Sequence, residues 1–416
     1  MEEKRTSDGR YLSGFLTGVL GTLIVVLLAL IIVVMIFGND IIYKNKVGTV
    51  SIDENKELEE SMGYITEKVG YLAGFISTYY LEEVETEDIV EGIYKGIFES
   101  IGDPYSEYYT KEEYKEIQES TNGEFVGIGV SLIYKDEKEI VVTGFLDGSN
   151  AEKAGMEIDD IIIKVDDKDI TQMDFEKAVS MIKGDEGTDV KIGVRRMVNG
   201  KAKELDFVIT RTVVSDISVY SKMEDNSIGC IYITGFDKNT PKQFEKHLKE
   251  LQTKGMKGLI LDIRYNGGGM LDSVQAIADT IMDEGVLLTL KDKTGTTKKV
   301  VETEDGKLTD VPIVILVNEY SASASEVLAG AIKDRDIGEV VGVTTFGKGI
   351  VQSIIPLNDG SAIKITTERY YTPSGDYIHE KGITPDYEVE LDSKKAEEGI
   401  DTQLEKAKEV LGKMMK

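Results

Sequence analysis

An α/β core with an inserted β-rich domain, behind a helical N-terminal segment and one transmembrane helix, is the architecture that three features of this 416-residue sequence predict. The first is the run FLTGVLGTLIVVLLALIIVVMIF, residues 15–37, which carries no charge. The second is a change of texture between residues 119 and 213 to short β-rich runs interrupted by two helical patches. The third is a regular alternation of apolar strands and helices from Asn226 onwards, the pattern of a parallel α/β layer. The chain therefore divides into a cytoplasmic tail (1–14), an anchor (15–37), a helical segment (40–118), the β-rich domain (119–213), the α/β core (214–392) and a helical tail (393–416).

From Tyr11 to Asn39 no residue is charged, enough apolar chain to cross a bilayer as a helix. The run is longer than the apolar part of a signal peptide and lacks a small-residue cleavage site. Lys4, Arg5 and Arg10 precede it and Asp40 follows. By the positive-inside rule the short tail stays in the cytoplasm and everything beyond residue 40 lies outside. The expectation is a single-pass protein of the cell membrane with extracytoplasmic domains. A net charge of −28 with no basic stripe argues against nucleic acid as a partner. The single cysteine, Cys230 in IGCIYITGF, can form no internal disulfide and no cysteine cluster, and reads as core. The two histidines, His247 in FEKHLKEL and His379 in GDYIHEKG, read as surface and turn positions. Neither a metal nor an organic cofactor is expected.

Beyond the anchor, Leu58, Ile65, Val69, Leu72 and Ile76 recur at helical spacing. That stripe suits either the core or a second copy of the chain, so a homodimer stays open. EDIVEGIYKGIFESIG sets Ile89, Ile93, Ile97 and Ile101 four apart, a helical stripe read as intramolecular core. Pro104 ends that helix, and Thr110 is a cap for its restart. EFVGIGVSLIY, KEIVVTGFL, DIIIKVDDKDI, DVKIGVRRM and ELDFVITRT predict strands, with NAEKAG and DFEKAVSMI as helices between them. KGLILDIRY predicts a strand buried on both faces, followed by the helix MLDSVQAIADTIM, the strand VPIVILVN and a helix from Ala324.

NEYSASASEVLAGAIKD, from Asn318 to Asp334, sets three serines at alternate positions ahead of that last helix. Ser323 and Glu326 fit a capping box, in which each side chain satisfies the other's amide. The same place favours a nucleophile, because free amides and the positive end of the helix dipole stabilise an oxyanion. Capping and catalysis are compatible, and the local pattern leaves both open. A base for such a serine is not found at the histidines. TTFGKGIVQ offers Lys348, between Gly347 and Gly349, with Phe346 and Val351 near it in sequence. Apolar neighbours lower an ammonium's pKa, although the local pattern by itself favours an exposed loop lysine between two turn glycines. LDIRYNGGGM places Gly267, Gly268 and Gly269 between a buried strand and a helix, where backbone amides can point at an anion. The run lacks the spacing of a dinucleotide site and the lysine of a P-loop.

NGGG, SASASE with Asp334, and TFGKGIVQ, in this order, resemble the signature of the carboxyl-terminal processing (tail-specific) serine proteases. DPYSEYYT upstream and KGITPDYEV near the end belong to the same resemblance, which runs from about residue 60 to 390. It implies a crotonase-like protease core. The family's spacing of 25 between nucleophile and lysine falls on Ser323 and Lys348. By similarity Ser323 attacks, Lys348 is the general base and Gln352 orients the lysine. The Ala324 amide and one of Gly268 or Gly269 form the oxyanion hole, and Asp334 is a supporting acidic residue. Gly267 stands where many members carry proline.

The β-rich insert resembles a PDZ domain, with VGIGV (Val126–Val130) as its carboxylate-binding loop. Amides around Gly127, Ile128, Gly129 and Val130 would receive a peptide's terminal carboxylate, and the strand GVSLIY would pair with the peptide by β-augmentation. The resemblance implies protein or peptide substrates with accessible C-termini. It also places Lys183, in MIKGDEG, where members carry a basic residue that links the insert to the catalytic site. Two other readings fit parts of the sequence. SMIK (Ser180–Lys183) and KTG (Lys293–Gly295) match a penicillin-recognising acyltransferase, but no S-x-N or Y-x-N element lies between them. A catalytically silent membrane-anchored PDZ scaffold or chaperone would keep the peptide loop without needing both Ser323 and Lys348. The sequence therefore leads to a membrane-anchored serine endopeptidase whose activity rises with pH as Lys348 loses its proton.

Overall fold

The computed structural model describes residues 56–135, 139–224 and 227–416. The membrane span expected at 15–37 lies outside them, as does the cytoplasmic tail. Among the described residues no helix is long and apolar enough to cross a membrane. The chain divides into two units, one ending at Val90 and one beginning at Glu91.

In the first unit the helix Lys56–Tyr79 carries the expected apolar stripe, but Ile65, Leu72, Phe75 and Ile76 are all exposed. The next helix, Thr86–Glu99, has no fully buried residue. Ile89 and Ile93 on its isoleucine stripe are half-buried, while Ile97 and Ile101 are exposed. The stripe is thus not the core face that its spacing predicts. Periodicity identifies an amphipathic helix but not what covers it. Thr110 caps the helix Lys111–Asn122 as expected, in a full capping box with Glu113.

The second unit is built on a six-stranded sheet whose middle strands are Ile228–Ile233, Gly258–Asp262, Ile313–Val317 and Gly338–Gly342, all parallel. Val219–Glu224 adds an antiparallel edge on one side and Tyr387–Glu388 a short parallel one on the other. Every residue of Gly258–Asp262 and Ile313–Val317 is buried, as near-continuous apolar runs require. Leu259, Leu261, Ile313, Ile315 and Val317 face one side, where helices Thr240–Thr253, Leu271–Ile281 and Ala324–Asp334 supply the core. Ile260, Val314 and Leu316 face the other, covered by Ala407, Val410 and Leu411 of the C-terminal helix Thr402–Met414. That helix, charged in sequence, completes the sheet's second face. Arg264 ties it down through Asp262 (2.7 Å) and Asp401 (2.8 Å). Cys230 is half-buried against the same cluster, and burial pushes its thiol up to about 12, consistent with a packing residue.

A second, antiparallel sheet contains Glu107–Tyr109, Ala362–Tyr371, Gly285–Lys291 and Thr297–Thr303, with Ile350–Pro356 pairing Ala362–Tyr371. The sequence predicts strands following Lys348 but not this sheet. His247 is also less exposed than its charged surroundings predict, its Nδ1 lying 2.7 Å from Ser221 Oγ.

The insert has its own core of Ile128, Val142, Ile162, Ile192 and Ile209, under a sheet ordered Val130–Lys135, Glu139–Phe145, Ile161–Val165, Asp189–Val198, Lys201–Thr210. EFVGIGVSLIY is not one strand. It breaks at Ile128–Gly129, so that Glu124–Gly127 pairs with Thr212–Ser215 while Val130–Lys135 joins the insert's sheet. The two-stranded pair brings the entry and exit of the insert together as a stem. Asn239 Nδ2 fastens it to the α/β core through the Asn122 carbonyl (3.1 Å). DIIIKVDDKDI likewise folds back, with Asp166 and Asp167 at positive φ between Ile161–Val165 and Lys168–Asp169.

The C-terminal helix as a structural cover makes a simple prediction. Leu411→Ala should cost about 2–5 kcal/mol of stability, because a fully buried leucine leaves a cavity. Ile158→Ala, at an exposed turn of the insert, should change stability by less than about 0.5 kcal/mol. Urea denaturation of the two variants reads the difference, and equal effects would contradict the packing described.

Candidate active site

Three neighbouring parallel strands end on the same edge of the sheet, and each delivers one of the sequence motifs there. Gly258–Asp262 leads to the glycine run, Ile313–Val317 to Ser323 and Gly338–Gly342 to Lys348. Parallel strands carry their C-terminal ends to one side of the sheet, so motifs far apart in sequence meet there. Ser323, Ala324, Gly267, Gly268, Gly269, Lys348 and Gln352 all line one cavity of about 680 Å³. Phe236, Leu271, Leu288 and Ile354 give it apolar walls.

Ser323 stands at the N-terminus of Ala324–Asp334 with φ 55 and ψ −113, a conformation costly for a residue with a Cβ. Of the expected capping box with Glu326, the Ser323 N–H donates to Glu326 Oε2 (2.9 Å), while the Glu326 N–H donates to the Ser323 carbonyl (2.9 Å). The hydroxyl makes no cap hydrogen bond. Glu326 is completely buried. Besides Ser323, its carboxylate accepts from Thr345 Oγ1 (2.6 Å), the Gly347 N–H (2.7 Å) and the Lys348 N–H (2.8 Å). One carboxylate therefore holds the backbone on both the serine and the lysine side. From the antiparallel sheet, the buried Tyr370 hydroxyl lies between the carbonyls of Lys348 (2.6 Å) and Ser323 (3.2 Å). Burial raises that phenol well above its ordinary range, which keeps it a donor.

The Lys348 side chain is half-buried, and its ammonium lies 4.6 Å from the centre of the Tyr105 ring. Burial lowers its pKa, and the nearby Lys364 charge lowers it further, against Asp103, Glu107 and Glu326. No hydrogen bond joins Lys348 Nζ to Ser323 Oγ among the described residues. Gln352, expected to orient the lysine, instead donates from Nε2 to Thr366 Oγ1 (3.2 Å).

Gly268 has φ 106, and a Cβ there would lie 2.8 Å from the Ala322 carbonyl oxygen and 2.9 Å from Ser323 Cβ, so only glycine fits. Its N–H is engaged by Asn266 Oδ1 (2.9 Å), whereas the N–H groups of Gly269 and Ala324 meet no acceptor among the described residues. Asp334 does not line the cavity. It closes the far end of the helix, about 16 Å from Ser323 at 1.5 Å per residue, and accepts the Ser374 N–H (3.0 Å).

In the insert, Gly129 has φ 80, and a Cβ there would come within 2.8 Å of the Ser149 Cα. The next strand, Val130–Lys135, is the edge of its sheet and among the described residues pairs only with Glu139–Phe145. The Gly127–Val130 loop thus opens beside an unpaired strand edge. Lys183 lies at the stem, 3.8 Å from Glu119 and 5.1 Å from the Phe125 ring centre, and does not line the cavity. Sequence reasoning missed Glu326 as a common acceptor and missed Tyr370 entirely. The capping-box pattern was the only signal for the former, and no local pattern marks the latter.

Three protein families match the chain. They are Peptidase family S41 over residues 227–389, a PDZ domain over 141–196, and the activating protease CtpB N-terminal domain over 32–113. Carboxy-terminal processing protease CtpA of Bacillus subtilis (strain 168) is 36% identical over 316 residues, covering 76% of this chain and 67% of that protein. Carboxy-terminal processing protease CtpB of the same organism is 34% identical over 352 residues, covering 84% and 72%. Among solved structures, the photosystem II D1 C-terminal processing protease is 27% identical with a TM-score of 0.46, covering 76% of this chain and 86% of that one.

The shared carboxylate is testable by itself. Glu326→Gln keeps the shape but cannot accept from all four donors, and should cost about 1–3 kcal/mol of stability. Tyr370→Phe, which loses one neutral donor, should cost about 0.5–1.5 kcal/mol. Chemical denaturation ranks them, and a Glu326→Gln protein as stable as the parent would overturn the assigned role.

Proposed function

Because the chain belongs to the carboxy-terminal processing serine proteases of peptidase family S41 and carries a PDZ domain, we propose that it cleaves peptide bonds with a Ser323–Lys348 dyad. The carrying observation is that Ser323 and Lys348 line one cavity and are tied through their amides to one buried carboxylate. Lys348 Nζ, once neutral, accepts the Ser323 Oγ proton as the oxygen attacks the scissile carbonyl. The tetrahedral oxyanion is received by the Ala324 amide and by Gly269, since the Gly268 N–H is taken by Asn266. The ammonium returns the proton to the leaving amine. Water then hydrolyses the acyl-enzyme with the lysine again as base.

For this the lysine must leave the Tyr105 ring and reach the hydroxyl, a side-chain rotation with the backbone already fixed. Gln352, in the same cavity, orients it by exchanging its Thr366 partner for the amine. Asp334 supports the turn at Ser374. The core is of the crotonase-like type that the family resemblance implies. The apolar walls at Phe236, Leu271 and Leu288 suit an apolar side chain next to the scissile bond.

The PDZ domain selects substrates. The Gly127-Ile128-Gly129-Val130 loop receives a terminal carboxylate, and the edge strand Val130–Lys135 pairs with the peptide behind it. Lys183, at the stem between this domain and the core, is the gating contact. Residues 15–37 anchor the chain as a single span with the protease outside the cytoplasm, and the exposed apolar face of Lys56–Tyr79 is a surface for a homodimer.

A fluorophosphonate probe should label Ser323 of the full-length protein and fail on Ser323→Ala. Lys348→Ala should label about 10²–10⁴-fold more slowly, the usual worth of a general base. A catalytically silent scaffold would show no labelling in either protein. Because burial lowers the lysine's pKa but the base must be neutral to act, the labelling rate should rise with pH between about 6 and 9. A flat profile would count against the dyad. A peptide ending in a free carboxylate should bind the PDZ domain more tightly than its C-terminal amide, read by fluorescence anisotropy on the Ser323→Ala protein. Equal binding would remove the assigned loop.

A further inference from the structure

The segment DPYSEYYT, outside the catalytic motifs, forms one side of the lysine's surroundings. Asp103 accepts the Tyr105 N–H (3.0 Å), the Ser106 hydroxyl (2.6 Å) and the Thr366 hydroxyl (2.6 Å). Thr366 N–H in turn donates to Ser106 Oγ (3.1 Å), so the turn is stitched to the strand Ala362–Tyr371. Thr366 is also the residue that holds Gln352 (3.2 Å) and is its cross-strand partner. The turn is therefore fixed to the strand that pairs with Ile350–Pro356, which begins two residues after the lysine. Tyr105, projecting from it, presents its ring to the Lys348 ammonium at 4.6 Å. Four residues on, Tyr109 presents its ring to Lys364 at 5.3 Å, and Glu107 pairs with that second lysine at 2.9 Å. The segment is thus a cradle for two neighbouring ammonium groups, one ring to each.

We propose that Tyr105 is a positioning residue for Lys348: its ring face holds the protonated lysine in a waiting place off Ser323 and so sets how readily the base becomes available. The inference rests on Lys348 being the base of the dyad. Attraction of an ammonium to a ring face favours the charged form, opposing the desolvation that favours the neutral amine. The other groups facing Lys348 are Lys364 and Tyr370 from one strand, Asp103 and Glu107 from the turn, and Glu326 from the serine helix. Lys364 disfavours the ammonium and the three carboxylates favour it. The ring favours the ammonium without competing for its proton, its centre 4.6 Å from the amine.

The test compares Tyr105→Phe, which keeps the ring face, with Tyr105→Leu, which keeps apolar bulk and loses it. The readout is the midpoint of the pH dependence of Ser323 phosphonylation in the full-length protein. Phe should keep the parent midpoint within about 0.2 units. Leu should lower it by about half a unit to one unit, the range that a cation–π contact of ordinary strength converts to. A ring that only filled space would move stability without separating Phe from Leu on the pH axis. Should the Leu protein fail to fold by thermal melting, Tyr105→Met carries the same comparison. A midpoint unchanged or raised in the Leu or Met variant overturns the proposal while leaving the dyad intact, and so does a Phe variant shifted as far as Leu. Parent labelling that is equally fast in Lys348→Ala overturns the dyad and this inference with it.

Discussion

The arrangement at the cavity depends on one buried carboxylate. A charge at the completely buried Glu326 would be costly unless its oxygens were fully used. They are used by three backbone amides and one hydroxyl, drawn from two separate loops. The cost of burying the carboxylate without those partners binds the loop after Ile313–Val317 to the loop after Gly338–Gly342. It also retains Ser323 at a φ of 55, which an unsupported serine would relax away from. Tyr370 applies the same logic from the other sheet, contacting the carbonyls where Glu326 takes the amides.

The backbone of the serine and the lysine is thus fixed, while the lysine's amine is not fixed to the hydroxyl. Half-burial presses the amine toward neutrality, and the surrounding carboxylates and the Tyr105 ring press it toward charge. Because these influences oppose one another, a change in what surrounds the amine shifts the balance between its two forms. A group held in this balance is suited to control by a neighbour. The stem of the PDZ domain, with Lys183 against Glu119 and Phe125, is built on the helix that directly follows the Tyr105 segment.

Local physics made much of this legible. Short runs dominated by apolar residues became fully buried parallel strands, with the one charged residue in them, Asp262, paired to Arg264. Thr110 with Glu113 became a capping box because both partners lie within one turn. Failures arose where a local pattern has two satisfactory solutions. EFVGIGVSLIY reads as a continuous strand, yet Gly129 against Ser149 turns it out of one sheet and into another. The isoleucine stripe of Thr86–Glu99 fixes an amphipathic helix but not its cover, and half of it faces solvent. The charged C-terminal helix hides Ala407, Val410 and Leu411 among lysines and glutamates, so its place as the second cover of the sheet was invisible.

By itself the sequence determined the family, the identity and spacing of the motifs, the parallel character of the core strands and the presence of a PDZ insert. Each is carried by residue order or by periodicity within one element. Only the tertiary structure decided that the glycine run, Ser323 and Lys348 share an edge. That follows from the order in which strands pair, and residues distant in sequence settle it. The same holds for the four donors converging on Glu326, the hydroxyl of Tyr370 reaching across from a second sheet, and the resting place of the lysine over Tyr105. Each joins groups from separate elements, and no local pattern records which elements will be neighbours.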